Sequence, residues 1–240
     1  MHRRTTARVT GILFLTATAA GALGAGLLGS LDTLDSARAV ADRSPALAAG
    51  ALLILLMAVA IAMIPPTLHP VLKERGEAQA LGYLVARTIE VVLVLPAAVG
   101  PLALVAASSR EPGAVGPVLA LTRTYDLWGP TCSSVFFCLS VVLLNHRLYR
   151  SRLVPRWIAV WALAAVLPYL ADALLAALGP SALPPAVRAA LVVPLALNEM
   201  ALALRLLVRG FTAPAPEQSA RAATATAAAG PDGRPVDAAS

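Results

Sequence analysis

Charge is scarce in this chain: 13% of its residues are Asp, Glu, Lys or Arg, while 58% are hydrophobic and the mean hydropathy is +0.76. That balance is too apolar for a soluble domain of 240 residues and fits a polytopic membrane protein. Cysteine is nearly absent. Cys132 and Cys138 stand six apart on one expected helix, hence on different faces, where a disulfide has poor geometry; they read as small packing residues. Histidine is as sparse: His2, His69 and His146 are scattered and fall at the ends of apolar runs, so no metal site is expected. His-Glu-x-x-His, a P-loop and a Gly-x-Ser-x-Gly elbow are all missing, and neither catalytic residues nor a cofactor are expected. A soluble basic face is missing too. The net charge of +6 is mainly topological, which excludes a nucleic-acid partner.

What the chain does have is long apolar runs. A span needs about 20 apolar residues to cross a hydrocarbon core of about 30 Å. Six stretches qualify: 9–31, 46–64, 81–107, 127–144, 157–178 and 189–208. Backbone groups in lipid must be paired within the segment, so each should be a helix. The expected fold is all-α, a six-helix transmembrane bundle over 1–211, with a disordered tail at 212–240 rich in Ala, Pro, Thr, Ser and Gly. Pro96, Pro101, Pro168 and Pro194 lie inside spans and should bend them.

Lys and Arg in the flanks set the orientation. One alternating set (Arg3, Arg4, Arg8; Lys73, Arg75; Arg147, Arg150, Arg152, Arg156; Arg205, Arg209, Arg221, Arg234) holds thirteen of the nineteen. The other (Arg38, Arg43; Arg110, Arg123; Arg188) holds five, and Arg87 lies within a span. The positive-inside rule then puts both termini in the cytoplasm, making this a multi-pass protein of the cytoplasmic membrane. Arg3, Arg4 and Arg8 before an apolar core, with an Ala17–Ala19 exit, also describe a signal peptide. Apolar character continuing to Leu31 and the charge alternation favour a retained span. The same span carries Ala17, Gly21, Ala25 and Gly29 at four-residue spacing, a stripe suited to close packing within the bundle or to a homo-oligomer. In "NHRLYRSRLVPRW", Arg147, Arg150, Arg152 and Arg156 stand beside Trp157 at the inner surface, where they serve orientation and can contact anionic lipid headgroups. Asp126 and Asp172 near the opposite surface invite an aspartyl dyad, but the Gly-x-Gly expected before the second Asp is Leu170 and Ala171, and a span-end role for Asp126 is the stronger reading.

The unusual feature is charge within "ALGYLVARTIEVVLVLP", residues 80 to 96. From the inner end of that span Arg87 lies roughly 9 Å and Glu90 roughly 13 Å deep, and Glu199 lies about 15 Å from Arg209 with Asn198 beside it. Left in lipid, each charge costs about 2.5–3.5 kcal/mol, so Arg87, Glu90, Asn198 and Glu199 are expected to meet inside the bundle, on neighbouring spans three and six. Arg87 would bridge the two acids, leaving one carboxylate in excess that can hold a proton. Two classes of function follow. A structural or regulatory membrane component would use the charges as a dry, fully paired clasp fixing helix register. A small proton-linked transporter or permease would use Glu90 and Glu199 at a water-reachable cavity, with Pro194 bending span six beside them. An enzyme acting on lipid is a weaker third.

At these residues the chain resembles a known family. "HPVLKERGEAQALGYLVARTIEVVL", "LYRSRLVPRWIAVWALAAVLPYLADALL" and "PLALNEMALALRLLVRGF", with "ARVTGILFLTATAAGALG" at the start, are similar to the bacterial integral membrane proteins grouped as domain of unknown function 4386. The resemblance runs in order from about Ala7 to Phe211 and is most specific at residues 151–157. It implies a six-span bundle with charges at Arg87, Glu90 and Glu199, and it supplies no activity. The chain departs from the family pattern at Arg205 and Asn198.

Overall fold

The computed structural model describes residues 3–31, 33–74, 76–178 and 184–212. Of the stretch assigned to the tail only Thr212 is among them, and Arg75, Arg221 and Arg234 of the basic set also lie outside the described residues. Helices α1 (Arg3–Leu28), α2 (Ala37–Lys73), α3 (Glu77–Val94), α4 (Pro96–Arg110), α5 (Val115–Ser151), α6 (Arg156–Ala177) and α7 (Pro185–Arg209) follow one another, with a 3₁₀ turn at Pro112–Ala114. Among the described residues no strand occurs, and six helical segments are long and apolar enough to cross a membrane, α3 and α4 together forming the third.

Proline accounts for that division. Pro96 has no N–H to give to the carbonyl of Val92, and the third span is interrupted at Leu95. The neighbouring Leu93 carbonyl accepts a hydrogen bond from Tyr125 Oη of α5 at 2.9 Å, so the polar backbone at the interruption is met from an adjacent helix. Helices α2 and α5 run 37 residues each. At 1.5 Å per residue that is about 55 Å, far beyond the apolar runs at 46–64 and 127–144. Hydropathy marks only the part of a helix suited to lipid. The remainder of α2 begins at Ser36, whose side chain accepts from Ala39 N–H at 3.2 Å, and continues through polar turns bearing Arg38, Asp42 and Arg43.

The helices close a ring. α1 packs on α2, α2 on α3 and α4, these on α5, α5 on α6, α6 on α7, and α7 returns to α1. This order corrects the expectation that spans three and six are neighbours: α3 lies against α2 and α5, α7 against α1 and α6, and the two face each other across the interior. Packing of consecutive helices is enough to produce that arrangement.

Both ends of the ring are filled. At the end holding Arg3 and Arg209, Phe14, Ile64, Leu68, Tyr83, Leu148 and Leu206 belong to one buried core. At the opposite end Leu34, Val40, Leu47, Leu104 and Leu119 form another. Glycine lets α1 approach its neighbours. A Cβ on Gly11 would come within 2.8 Å of the Ala203 carbonyl on α7, and one on Gly24 within 3.0 Å of the Gly50 carbonyl on α2. The four-residue stripe is divided: Ala17 packs with Ala60 and Ile61 of α2 and Gly21 lies against Met57 of the same helix, while Ala25 borders an interior cavity and Gly29 lies beyond the end of the helix with φ of +57°. The first and last described residues are both held on that first side. Arg3 pairs with Glu74, and Thr212 N–H donates to the Leu153 carbonyl at 2.8 Å. Arg205 caps α7, donating to the Gly210 carbonyl at 2.7 Å.

Candidate ligand cavity and its charged floor

Arg87 and Glu90 are three residues apart on α3 and therefore share a face. Arg87 Nη1 donates to Glu90 Oε1 at 3.0 Å and lies 3.1 Å from Oε2. Its Nη2 reaches across the ring to Glu199 Oε1 at 3.6 Å, an ion pair longer than a hydrogen bond. The guanidinium carbon lies 5.2 Å from the centroid of the Phe137 ring and 5.9 Å from that of Tyr83, within cation–π range. The three side chains differ in access. Arg87 is 3% exposed and Glu90 5%, whereas Glu199 is 19% exposed.

Glu199 owes that exposure to a cavity of about 490 Å³ inside the ring, to which every spanning segment contributes. Its walls are largely apolar, with Phe14 and Ala22 of α1, Met57 of α2, and Val192 and Ala196 of α7 among them. Arg87, Glu90 and Glu199 supply its only charges among the described residues. Ser134 and Tyr169 also face it, their hydroxyls 3.5 Å apart. α1 and α7 meet tightly at Gly11, toward the end holding Arg3 and Arg209; Ala22 and Ala25 border the cavity at the other end of α1 and are exposed.

Asn198 is buried next to Glu199 but turns elsewhere, donating through Nδ2 to the Ile158 carbonyl of α6 at 2.8 Å. It shares with Arg87, Glu199 and Asn145 a second space of about 10 Å³, on the order of a single water. Asn145 was not expected here. Its amide donates to the Val141 carbonyl at 2.9 Å, and its buried Oδ1 has no hydrogen-bond partner. The one available signal was an amide following "VVLLN" at the end of an apolar run.

Two other sequence readings can be set beside the geometry. Asp126 and Asp172 form no dyad: buried Asp172 holds Arg188 through two hydrogen bonds, Nε to Oδ1 at 3.0 Å and Nη2 to Oδ2 at 3.2 Å, joining α6 to α7. Asp126 instead borders a separate hollow with Arg123 and Gly29. Of the arginines assigned to lipid headgroups, Arg150, Arg152 and Arg156 are exposed, but Arg147 folds inward over Gly76, where a Cβ would occupy the space of its guanidinium. Gly76, at φ +150°, tolerates this because it has no side chain. Among the described residues no group of His, Cys, Asp and Glu is placed to hold a metal ion, and both cysteines are free. Replacing the half-exposed Arg188 by Ala should lower stability by roughly 1 kcal/mol, since water can partly replace it at Asp172. Thermal denaturation in detergent checks this.

A profile described as Domain of unknown function (DUF4386) matches residues 9–210. The chain belongs to that family. No curated protein and no solved structure matches it. Members of the DUF4386 family carry no assigned activity in that description, so family membership together with the six apolar segments makes this a multi-pass membrane protein and leaves its role to the site.

Proposed function

We propose that the protein is a small proton-linked transporter or permease of the cytoplasmic membrane, with Glu199 as its proton-handling group and Glu90 as the acid that shares its guanidinium. One observation carries the reading. Glu199 shares Arg87 with Glu90 yet opens onto a cavity of about 490 Å³, within the roughly 300–1,000 Å³ typical of small-molecule sites. An intramembrane acid that faces a cavity can exchange its proton with whatever enters; one sealed in a clasp cannot. Basic residues concentrated on the side of the termini support a cytoplasmic placement of both ends.

A second reading is favoured by the Arg87–Glu90 pair, which is sealed and hydrogen-bonded through both carboxylate oxygens. In it the charges are a structural clasp and the protein a structural or regulatory membrane component. Infrared difference spectra in membranes across about pH 5–8 separate the two. The transporter reading expects a carboxyl band that responds to pH and is altered in Glu199→Gln. Spectra unchanged over that range in both proteins would leave the clasp.

A further inference from the structure

We infer that the occupant of the interior cavity is an organic monocation with an apolar body. The inference rests on the cavity being a ligand site, as proposed above, and adds the chemistry of what enters it. Arg87, Glu90 and Glu199 together carry one net negative charge when both acids are ionised. The positive member is hidden. Arg87 is 3% exposed, its Nη1 is engaged by both oxygens of Glu90, and Phe137 and Tyr83 lie against it. A solute in the cavity therefore meets Glu199, whose partner among the described residues is Arg87 alone, at 3.6 Å. Most of that carboxylate's acceptor capacity is left for a ligand.

The walls decide between kinds of cation. A metal ion would need several oxygen ligands to replace its hydration shell. Both Glu90 oxygens are engaged by Arg87, which leaves a metal ion one carboxylate and the neutral hydroxyls of Thr18, Ser133, Ser134 and Tyr169, scattered over three helices, in place of that shell. An alkylated ammonium carries its charge inside a hydrocarbon shell and asks for little hydrogen bonding. Aliphatic wall and the rings of Phe14 and Tyr169 suit its body, and ring faces attract its charge.

Full-length protein in lipid nanodiscs, titrated calorimetrically, provides the test. Three probes differ mainly in charge: benzyltrimethylammonium, its uncharged carbon isostere neopentylbenzene, and benzenesulfonate. The cation should bind at least about tenfold more tightly than the isostere, and the sulfonate should not bind. Glu199→Gln should weaken the cation at least about tenfold and leave the isostere unchanged. Ala196→Trp, which fills the cavity beside Glu199 without changing any charge, should abolish binding of both while the protein still melts cooperatively. Equal binding of cation and isostere would overturn the inference in favour of an uncharged occupant such as an acyl chain, and would keep the cavity as a ligand site. Preference for the sulfonate would overturn it by making Arg87 the recognition group. Cation binding that survives both variants would place it elsewhere and overturn it too. If no probe binds while the carboxyl band still responds to pH, the cation class falls and proton-linked function stands; if neither is seen, both fall.

Discussion

Arg87→Ala should destabilise the bundle at its centre. It leaves Glu90, buried, and Glu199, nearly so, facing each other without their shared cation. Removing one partner of a buried ion pair costs roughly 3–5 kcal/mol because the remaining charge is uncompensated. At roughly 2–4 °C per kcal/mol for a chain of this size, the melting temperature should fall on the order of 10 °C. Protonation of the stranded acids can recover part of this, so the loss should be larger in alkaline than in acidic buffer. A companion variant isolates the cause. Arg87→Met combined with Glu90→Gln and Glu199→Gln removes every charge at once and should regain most of the lost stability, since neutral groups of similar shape avoid the stranded charge. Thermal melts of the three proteins in one detergent decide it: a triple variant no more stable than Arg87→Ala would mean that packing of the arginine stem, and not charge, holds the site.

Gly11→Leu should be nearly as damaging for a different reason. The new side chain would begin 2.8 Å from the Ala203 carbonyl and from Leu207 Cγ, and a backbone carbonyl within a helix cannot step aside. α1 must then move off α7, opening the ring at the junction that returns α7 to the start of the chain. Overpacking of a well-filled contact typically costs roughly 1–3 kcal/mol, and separation of two spans should bring the upper end of that range. Gly26→Leu serves as the control, because nothing lies within 4 Å of a Cβ there. Cysteines placed on facing turns of α1 and α7 should cross-link in the parent and in the control but not in Gly11→Leu.

Much of this architecture was legible before any coordinates. Six apolar runs in a chain with little charge have few alternatives in lipid, and Arg87 and Glu90 announce their pairing by spacing alone. The meeting of Arg87 with Glu199 was legible too, because deep charges on two spans must find each other inside the bundle; that they do so across a ring closed by glycine contacts is what hydropathy does not encode. The cavity was not legible at all. It is bordered by small residues such as Ala22, Ala25 and Ala196, and residues as small elsewhere on α1, Gly11 and Gly24, bring helices into contact. Asp172 with Arg188 and Arg147 over Gly76 escaped for a related reason: each joins different elements around a connection whose course the residue types do not specify.

Helices α2 and α5 have one more implication. A rod of about 55 Å tilted by as much as 40° still rises about 42 Å, beyond a hydrocarbon core of about 30 Å. At least about three turns of each must therefore stand in the headgroup region or beyond it. Because α2 and α5 touch four of the other five helices between them, these two act as tent poles of fixed length. Bilayers of different thickness would meet this frame at different heights, and its overhanging turns would take up part of the mismatch.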